Sequence, residues 1–173
     1  MKQSLRKKIA PQDLLKQLKS IRFIVFDFDG VFTDNRVLVL EDGREGVFCY
    51  RSDGLGIEIL RKTGFPLLVL SKEKNPVVKY RCMKLRLSCK HGCSNKLRVL
   101  KEESKKLNIP LSQVAYMGND INDVECIKAV GLAVAVADSY PEVKRLAGYV
   151  TKRAGGFGAI REFCDLILKA RKG

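Results

Sequence analysis

Ile21-Arg-Phe-Ile-Val-Phe-Asp27-Phe-Asp29-Gly-Val-Phe-Thr33 is the stretch that decides the fold of this chain. A run of apolar, β-branched and aromatic side chains ends in two carboxylates one residue apart, followed by Gly30. Residues 21–27 read as a strand buried on both faces, the pattern of a parallel sheet. Two acids at the end of such a strand are costly to bury unless they hold a metal or do chemistry. Open α/β sheets bind their ligands at the carboxyl ends of strands. The stretch therefore predicts a metal-dependent site with a carboxylate nucleophile.

Working outward, strands and helices alternate. Val37–Leu40, the turn 41–44 with Asp42-Gly43, and Gly46–Tyr50 predict a β-hairpin. Ser52-Asp53 predict the cap of a helix that runs to about Thr63. Residues 65–70, 85–89, 114–117, 132–136 and 149–150 read as further strands. Helices are expected from Pro76 to Leu85, Asn95 to Leu107, Asp123 to Ala129, Pro141 to Ala147 and over 159–170. This alternation predicts a doubly wound, mostly parallel α/β sheet flanked by helices. Residues 1–20, with Leu14, Leu15 and Leu18 at helical spacing, read as a lead-in helix or flexible segment. Residues 21–173 then form one domain with a hairpin flap at about 33–50.

The bulk numbers limit the classes. The chain has 173 residues, 46% hydrophobic and 30% charged, enough for one sizeable core. No apolar run approaches the ~18 residues of a membrane span. The basic N-terminus lacks the apolar stretch of a secretory signal, so a cytoplasmic location is expected. Net charge is +14, from 33 basic against 19 acidic residues, which favours anionic partners. The basic residues are spread along the chain without aromatic interleaving, which argues against nucleic acid as the main partner; a basic field would also help draw a sugar phosphate into an acidic metal site. Six cysteines are scattered, and free thiols are expected in a cytosolic chain. Cys89-Lys-His91-Gly-Cys93 has no second ligand pair to complete a zinc site.

Polar residues then gather at strand ends. Asp27 and Asp29 end the first strand, Ser71 the next, Lys96 opens a helix, and Asn119, Asp120 and Asp123 follow the strand 114–117. Asp27-Phe-Asp29-Gly-Val-Phe-Thr33 resembles the first motif of the haloacid dehalogenase superfamily. The later residues resemble its other three motifs in order and spacing, over about residues 21–165.

The resemblance implies a fold and a set of roles. Asp27 is the nucleophile that forms an aspartyl-phosphate, and Asp29 is the general acid and base. Ser71 bonds a phosphoryl oxygen and Lys96 neutralises charge on the phosphoryl group and the nucleophile. Mg²⁺ is implied, held by Asp27, Asp29, Asn119 and Asp120, with Asp123 behind them. Gly118-Asn119-Asp120 departs from the family, which usually has an aspartate directly after this glycine. An asparagine carbonyl can ligate but brings no charge.

The short insertion leaves no room for a cap domain. Arg51-Ser-Asp53-Gly-Leu-Gly56, Val134–Asp138 and Ala154-Gly-Gly-Phe-Gly158-Ala-Ile-Arg161 resemble the 3-deoxy-D-manno-octulosonate 8-phosphate phosphatases. That group forms homotetramers in which the hairpin and C-terminal tail complete neighbouring sites. Gly30, Arg51, Lys72 and Arg153 are the implied substrate contacts. Lys72-Glu-Lys-Asn-Pro76 and Gly118-Asn119-Asp120 look more like the phosphatase-like module associated with acylneuraminate cytidylyltransferases. Two readings stay open: a Mg²⁺-dependent phosphatase of an octulosonate 8-phosphate or an acylneuraminate 9-phosphate, and a weakly active assembly module with a cytidylyltransferase partner.

Overall fold

The structure is a computed structural model and describes residues 10–172; residues 1–9 of the expected lead-in lie outside them. Helix α1 spans Pro11–Ser20, and β1 spans Phe23–Phe26, with all four residues buried. A hairpin of β2 (Leu38–Val39) and β3 (Glu45–Gly46) follows, and an antiparallel bridge between Thr33 and Cys49 joins its base. Next come α2 (Arg51–Lys62), β4 (Leu67–Leu70), α3 (Val77–Leu85) and β5 (Ser88–Lys90). The second half holds α4 (Lys96–Lys106), β6 (Val114–Gly118), α5 (Val124–Ala129), β7 (Leu132–Ala135), α6 (Pro141–Leu146), β8 (Tyr149–Val150) and α7 (Ala159–Lys172).

Six strands form one parallel sheet in the order β5-β4-β1-β6-β7-β8. The chain winds outward from β1 through β4 to β5, then returns to the other side of β1 as β6. Strand order therefore reverses at β1, the place where such sheets open a crevice. Alternate side chains of β1 feed two cores. Ile24 and Phe26 pack with Leu18, Ile57, Phe163 and Ile167 from α1, α2 and α7. Phe23 and Val25 pack with Leu100, Ile127 and Val143 from α4, α5 and α6. Each fully buried apolar side chain of this size stabilises the fold by about 1.5–3 kcal/mol.

Three expectations are corrected by the structure. The hairpin pairs only two residues per strand, not the 37–40 and 46–50 expected. Val37 to Leu40 are exposed, and an isolated two-stranded ribbon has no sheet to extend it. Ser52-Asp53 do not cap α2; the helix begins at Arg51 and Asp53 turns inward. The strand expected over 85–89 starts at Ser88, because Leu85 ends α3 and Arg86 turns left-handed at φ 53°. The Leu87 N–H then reaches back to the Cys82 carbonyl at 2.9 Å, the closure of a Schellman turn. Among the described residues no helix is long and apolar enough to cross a membrane.

Candidate active site

The carboxyl ends of β1, β4 and β6 meet over a cavity of about 280 Å³. The Phe28 ring sets the direction of its neighbours. It is fully buried and stacks on Phe32 at 5.4 Å, so Asp27 and Asp29 on either side of it line the cavity. Gly30 follows with φ +74°, and a Cβ there would fall 2.0 Å from Asn119 Nδ2. No side chain fits at that position.

Lys96 is the electrostatic centre. Its ammonium, 4% exposed as a residue, lies 2.7 Å from Asp27 Oδ1 and 2.8 Å from Asp123 Oδ1. Asn95 caps α4 by accepting the Arg98 N–H, and so places Lys96 at the helix start. Asp123 is saturated with donors: Tyr116 Oη at 2.7 Å on Oδ1, and the Asn119 and Asp120 N–H groups on Oδ2 at 3.0 and 3.4 Å. Asp123 is thus an internal post for Lys96 and the loop after β6. The Phe28 N–H also falls on Asp27 Oδ1, at 2.7 Å. Among the described residues Oδ2 of Asp27 receives no donor.

Burial pushes the Asp27 carboxyl well up, and the Asp123 charge adds to this, while Lys96 pulls it down. Burial likewise raises Asp29, against a hydrogen bond from Ser71 Oγ to its Oδ2 at 3.2 Å. For Lys96, burial opposes the charge, but Asp27 and Asp123 outweigh it and hold the ammonium charged. The result is a charged lysine with one carboxyl group directly beside it and a second carboxyl in the same cavity whose hold on a proton burial strengthens.

The donor set suits a hard divalent cation. Asn119 is buried, and its Oδ1 has no hydrogen-bond partner, an orphan acceptor that a cation would satisfy. Asp27 and Asp29 share the cavity wall with it. Among the described residues no three His, Cys, Asp or Glu side chains cluster as a metal centre. Asp120 lines the cavity too, but its Oδ1 caps the short helical turn Ile121–Asp123.

The other expected residues divide. Ser71 is buried and spends its hydroxyl on Asp29 while accepting the Glu73 N–H at 3.0 Å. Lys72 lines the cavity. Arg51 instead lines a separate groove between α2 and α3, and Arg153 bonds the Phe157 carbonyl; neither reaches the cavity of its own chain. Sequence reasoning missed Tyr116, which looked like one more apolar strand residue, and the pair Glu45–Asn75. Asn75 Nδ2 donates to Glu45 Oε2 at 2.7 Å, tying the hairpin across the cavity mouth.

A family profile described as haloacid dehalogenase-like hydrolase matches residues 87–162. Over 160 residues the chain is 36% identical to the 3-deoxy-D-manno-octulosonate 8-phosphate phosphatase KdsC of Escherichia coli strain K12, covering 92% of this chain and 85% of that protein. The chain belongs to the haloacid dehalogenase-like hydrolases. Within that family it falls with the KdsC-type phosphatases. The structure of 3-deoxy-D-manno-octulosonate 8-phosphate phosphatase from Moraxella catarrhalis, in complex with magnesium ion, phosphate ion and KDO, is similar at TM-score 0.90 and 31% identity, covering 93% of each chain. A HAD family hydrolase from Streptomyces avermitilis is 46% identical at TM-score 0.85, covering 87% of each chain. The expected fold class and the phosphatase assignment both stand. Phosphatases of this family work with a divalent metal, in keeping with the orphan oxygen of Asn119.

Proposed function

We propose that this phosphatase hydrolyses the phosphate monoester of a 2-keto-3-deoxy sugar acid, an octulosonate 8-phosphate or an acylneuraminate 9-phosphate. The observation that carries the proposal is the Asp27–Lys96 contact at 2.7 Å, with Asp29 beside it in the same cavity. Asp27 Oδ2 attacks phosphorus, and the ester oxygen leaves with the proton from Asp29. Asp29 then takes a proton from water as that water attacks the aspartyl-phosphate, releasing phosphate and restoring Asp27. Lys96 favours the ionised form of Asp27 and offsets the charge that develops on the phosphoryl oxygens. Asp27, Asp29 and Asn119 would hold a divalent cation, Mg²⁺ in this proposal, which when bound supplies further charge for those oxygens. In this reading Lys72, which lines the cavity, meets the substrate carboxylate.

The exposed flap supports a quaternary proposal. Val37, Leu38, Val39 and Phe48 are 53%, 53%, 63% and 68% exposed. Apolar side chains in one contiguous ribbon favour burial against another protein surface. A homotetramer would cover them and bring Arg51 and Arg153 towards neighbouring sites. Sedimentation of the wild-type protein tests this, and a monomer would rule it out.

The activity is tested by phosphate release from 3-deoxy-octulosonate 8-phosphate and N-acetylneuraminate 9-phosphate, with Mg²⁺ and with EDTA, for wild type and Asp27→Asn. Mg²⁺-dependent turnover that disappears in the variant is expected, and the preferred ester names the substrate. A folded protein inactive on both esters would favour an assembly role beside a cytidylyltransferase.

A further inference from the structure

One buried carboxylate stands outside the chemistry described above. Asp53, in the first turn of α2, is 1% exposed. Its Oδ1 accepts the Arg161 N–H at 2.8 Å, across 108 positions of sequence, and the Gly158 N–H bonds to it as well. Its Oδ2 is buried and has no partner. These N–H groups open α7, where negative charge is favourable. An asparagine or serine could accept the same donors at no cost in charge burial. Asp53 brings a charge that the site resists: burial pushes its carboxyl up to about 6, against the two N–H groups, Arg81 and Arg153.

The segment this carboxylate anchors touches the catalytic loop. Residues 155–158 run directly into α7. The Gly156 N–H donates to the Val31 carbonyl at 3.1 Å. A Cβ on Gly155 would stand 1.8 Å from the Gly30 carbonyl oxygen, and one on Gly156 would stand 2.4 Å from the Asp34 nitrogen. Gly30 in turn abuts the Asn119 amide on its other side. Contact is therefore continuous from Asp53 through the start of α7 and Gly155 to Gly30, Asp29 and Asn119.

We propose that Asp53 is a positioning residue for the phosphatase reaction. Its charge holds the start of α7, presses the 155–158 loop onto the loop of Asp29 and Gly30, and so fixes the gap between Asp29 and Asn119. The proposal rests on the phosphatase reading. The groups that face Asp53 are Arg81 of α3, Arg153 of the loop before α7, Cys49 at the flap exit and Cys164 of α7. The Arg161 side chain is turned to Asp165 at 2.8 Å.

A cap that is only structural and a charge that positions the loop differ in their pH dependence. The folded value of Asp53 lies above its ordinary 3.8. Ionisation therefore costs the fold, and the stability that the protonated form contributes is lost as pH rises from about 4 to about 6. Relative to Asp53→Asn, the wild type should lose stability between pH 5 and pH 8. Under the proposal its activity advantage grows over that same range.

The test measures kcat and KM for p-nitrophenyl phosphate with Mg²⁺ from pH 5 to 8, and thermal melting, for wild type and Asp53→Asn. Asp27 and Asp29 titrate in both proteins and cancel in the ratio. The expected result at pH 8 is a kcat at least about tenfold lower in the variant, from a small misplacement of reacting groups. KM is expected within twofold, the melting temperature no lower than wild type, and the kcat gap is expected to close at pH 5. A pH-independent ratio, a loss confined to KM, or a variant that no longer melts cooperatively would each overturn the proposal. Amide exchange at Gly156 gives a readout independent of turnover. It should quicken in the variant at pH 8 but not at pH 5, even if wild type proves inactive and the functional reading fails.

Discussion

Replacing Lys96 by methionine removes the ammonium that two buried carboxylates share. It lies 2.7 Å from Asp27 and 2.8 Å from Asp123, whose side chains are 4% and 0% exposed. Methionine keeps most of the stem volume, so the loss is chiefly electrostatic. Removing one partner of a buried ion pair costs about 3–5 kcal/mol, and here two acids lose the same partner, which points to the upper end at pH 8 without metal. Burial and Asp123 already raise the Asp27 carboxyl, and Lys96 is what lowers it. Without Lys96 it rises further. A folded-state value above the unfolded one means stability that is present at low pH and lost as pH climbs. The deficit of the variant should therefore be largest at pH 8 and shrink towards pH 5. Urea unfolding of both proteins at pH 8 and pH 5.5, in EDTA, measures it. A deficit under about 1 kcal/mol at pH 8 would refute the reasoning, since that is the worth of an exposed pair. So would an equal deficit at both pH values.

Tyr116→Phe removes one donor from Asp123 Oδ1. Losing a hydrogen bond to a charged group, about 1.5 kcal/mol, loosens the post behind Lys96 and should lower kcat roughly tenfold with KM unchanged; steady-state kinetics with unaltered kcat would contradict it. Asn119→Asp adds a negative charge to the proposed ligand set and should tighten Mg²⁺ binding by roughly tenfold, because ligand charge tunes the affinity of oxygen sites. The check is the Mg²⁺ concentration giving half-maximal thermal stabilisation, which must fall in the variant.

The sheet was legible in the sequence because β1, β4, β6 and β7 are buried on both faces and their residues are continuous apolar runs. The doubly wound, mostly parallel architecture followed from the alternation of strands and helices. The cavity residues Asp27, Asp29, Asn119 and Asp120 were visible because acids and amides at the ends of such runs are costly to bury unless they bind or react. Local periodicity could not show what tertiary contacts decide. Asp53 sits where a helix cap is expected, yet its partner is Arg161, far along the chain. The apolar positions 85 and 87 suggested a strand, but they flank a left-handed helix end. Tyr116 carries its hydroxyl to Asp123 from inside a core strand, where a tyrosine reads only as bulk.

Gly30 lies between the Asn119 amide and the Gly155 backbone, and these three positions are far apart in sequence. β1 likewise needs β6, whose first residue is Val114, to flank it on one side. During synthesis the aspartates therefore emerge long before anything that could organise them. A nascent fragment ending short of residue 155 lacks the backbone that packs against the Gly30 carbonyl. The loop that carries Asp29 is thus backed by a segment synthesised long after it.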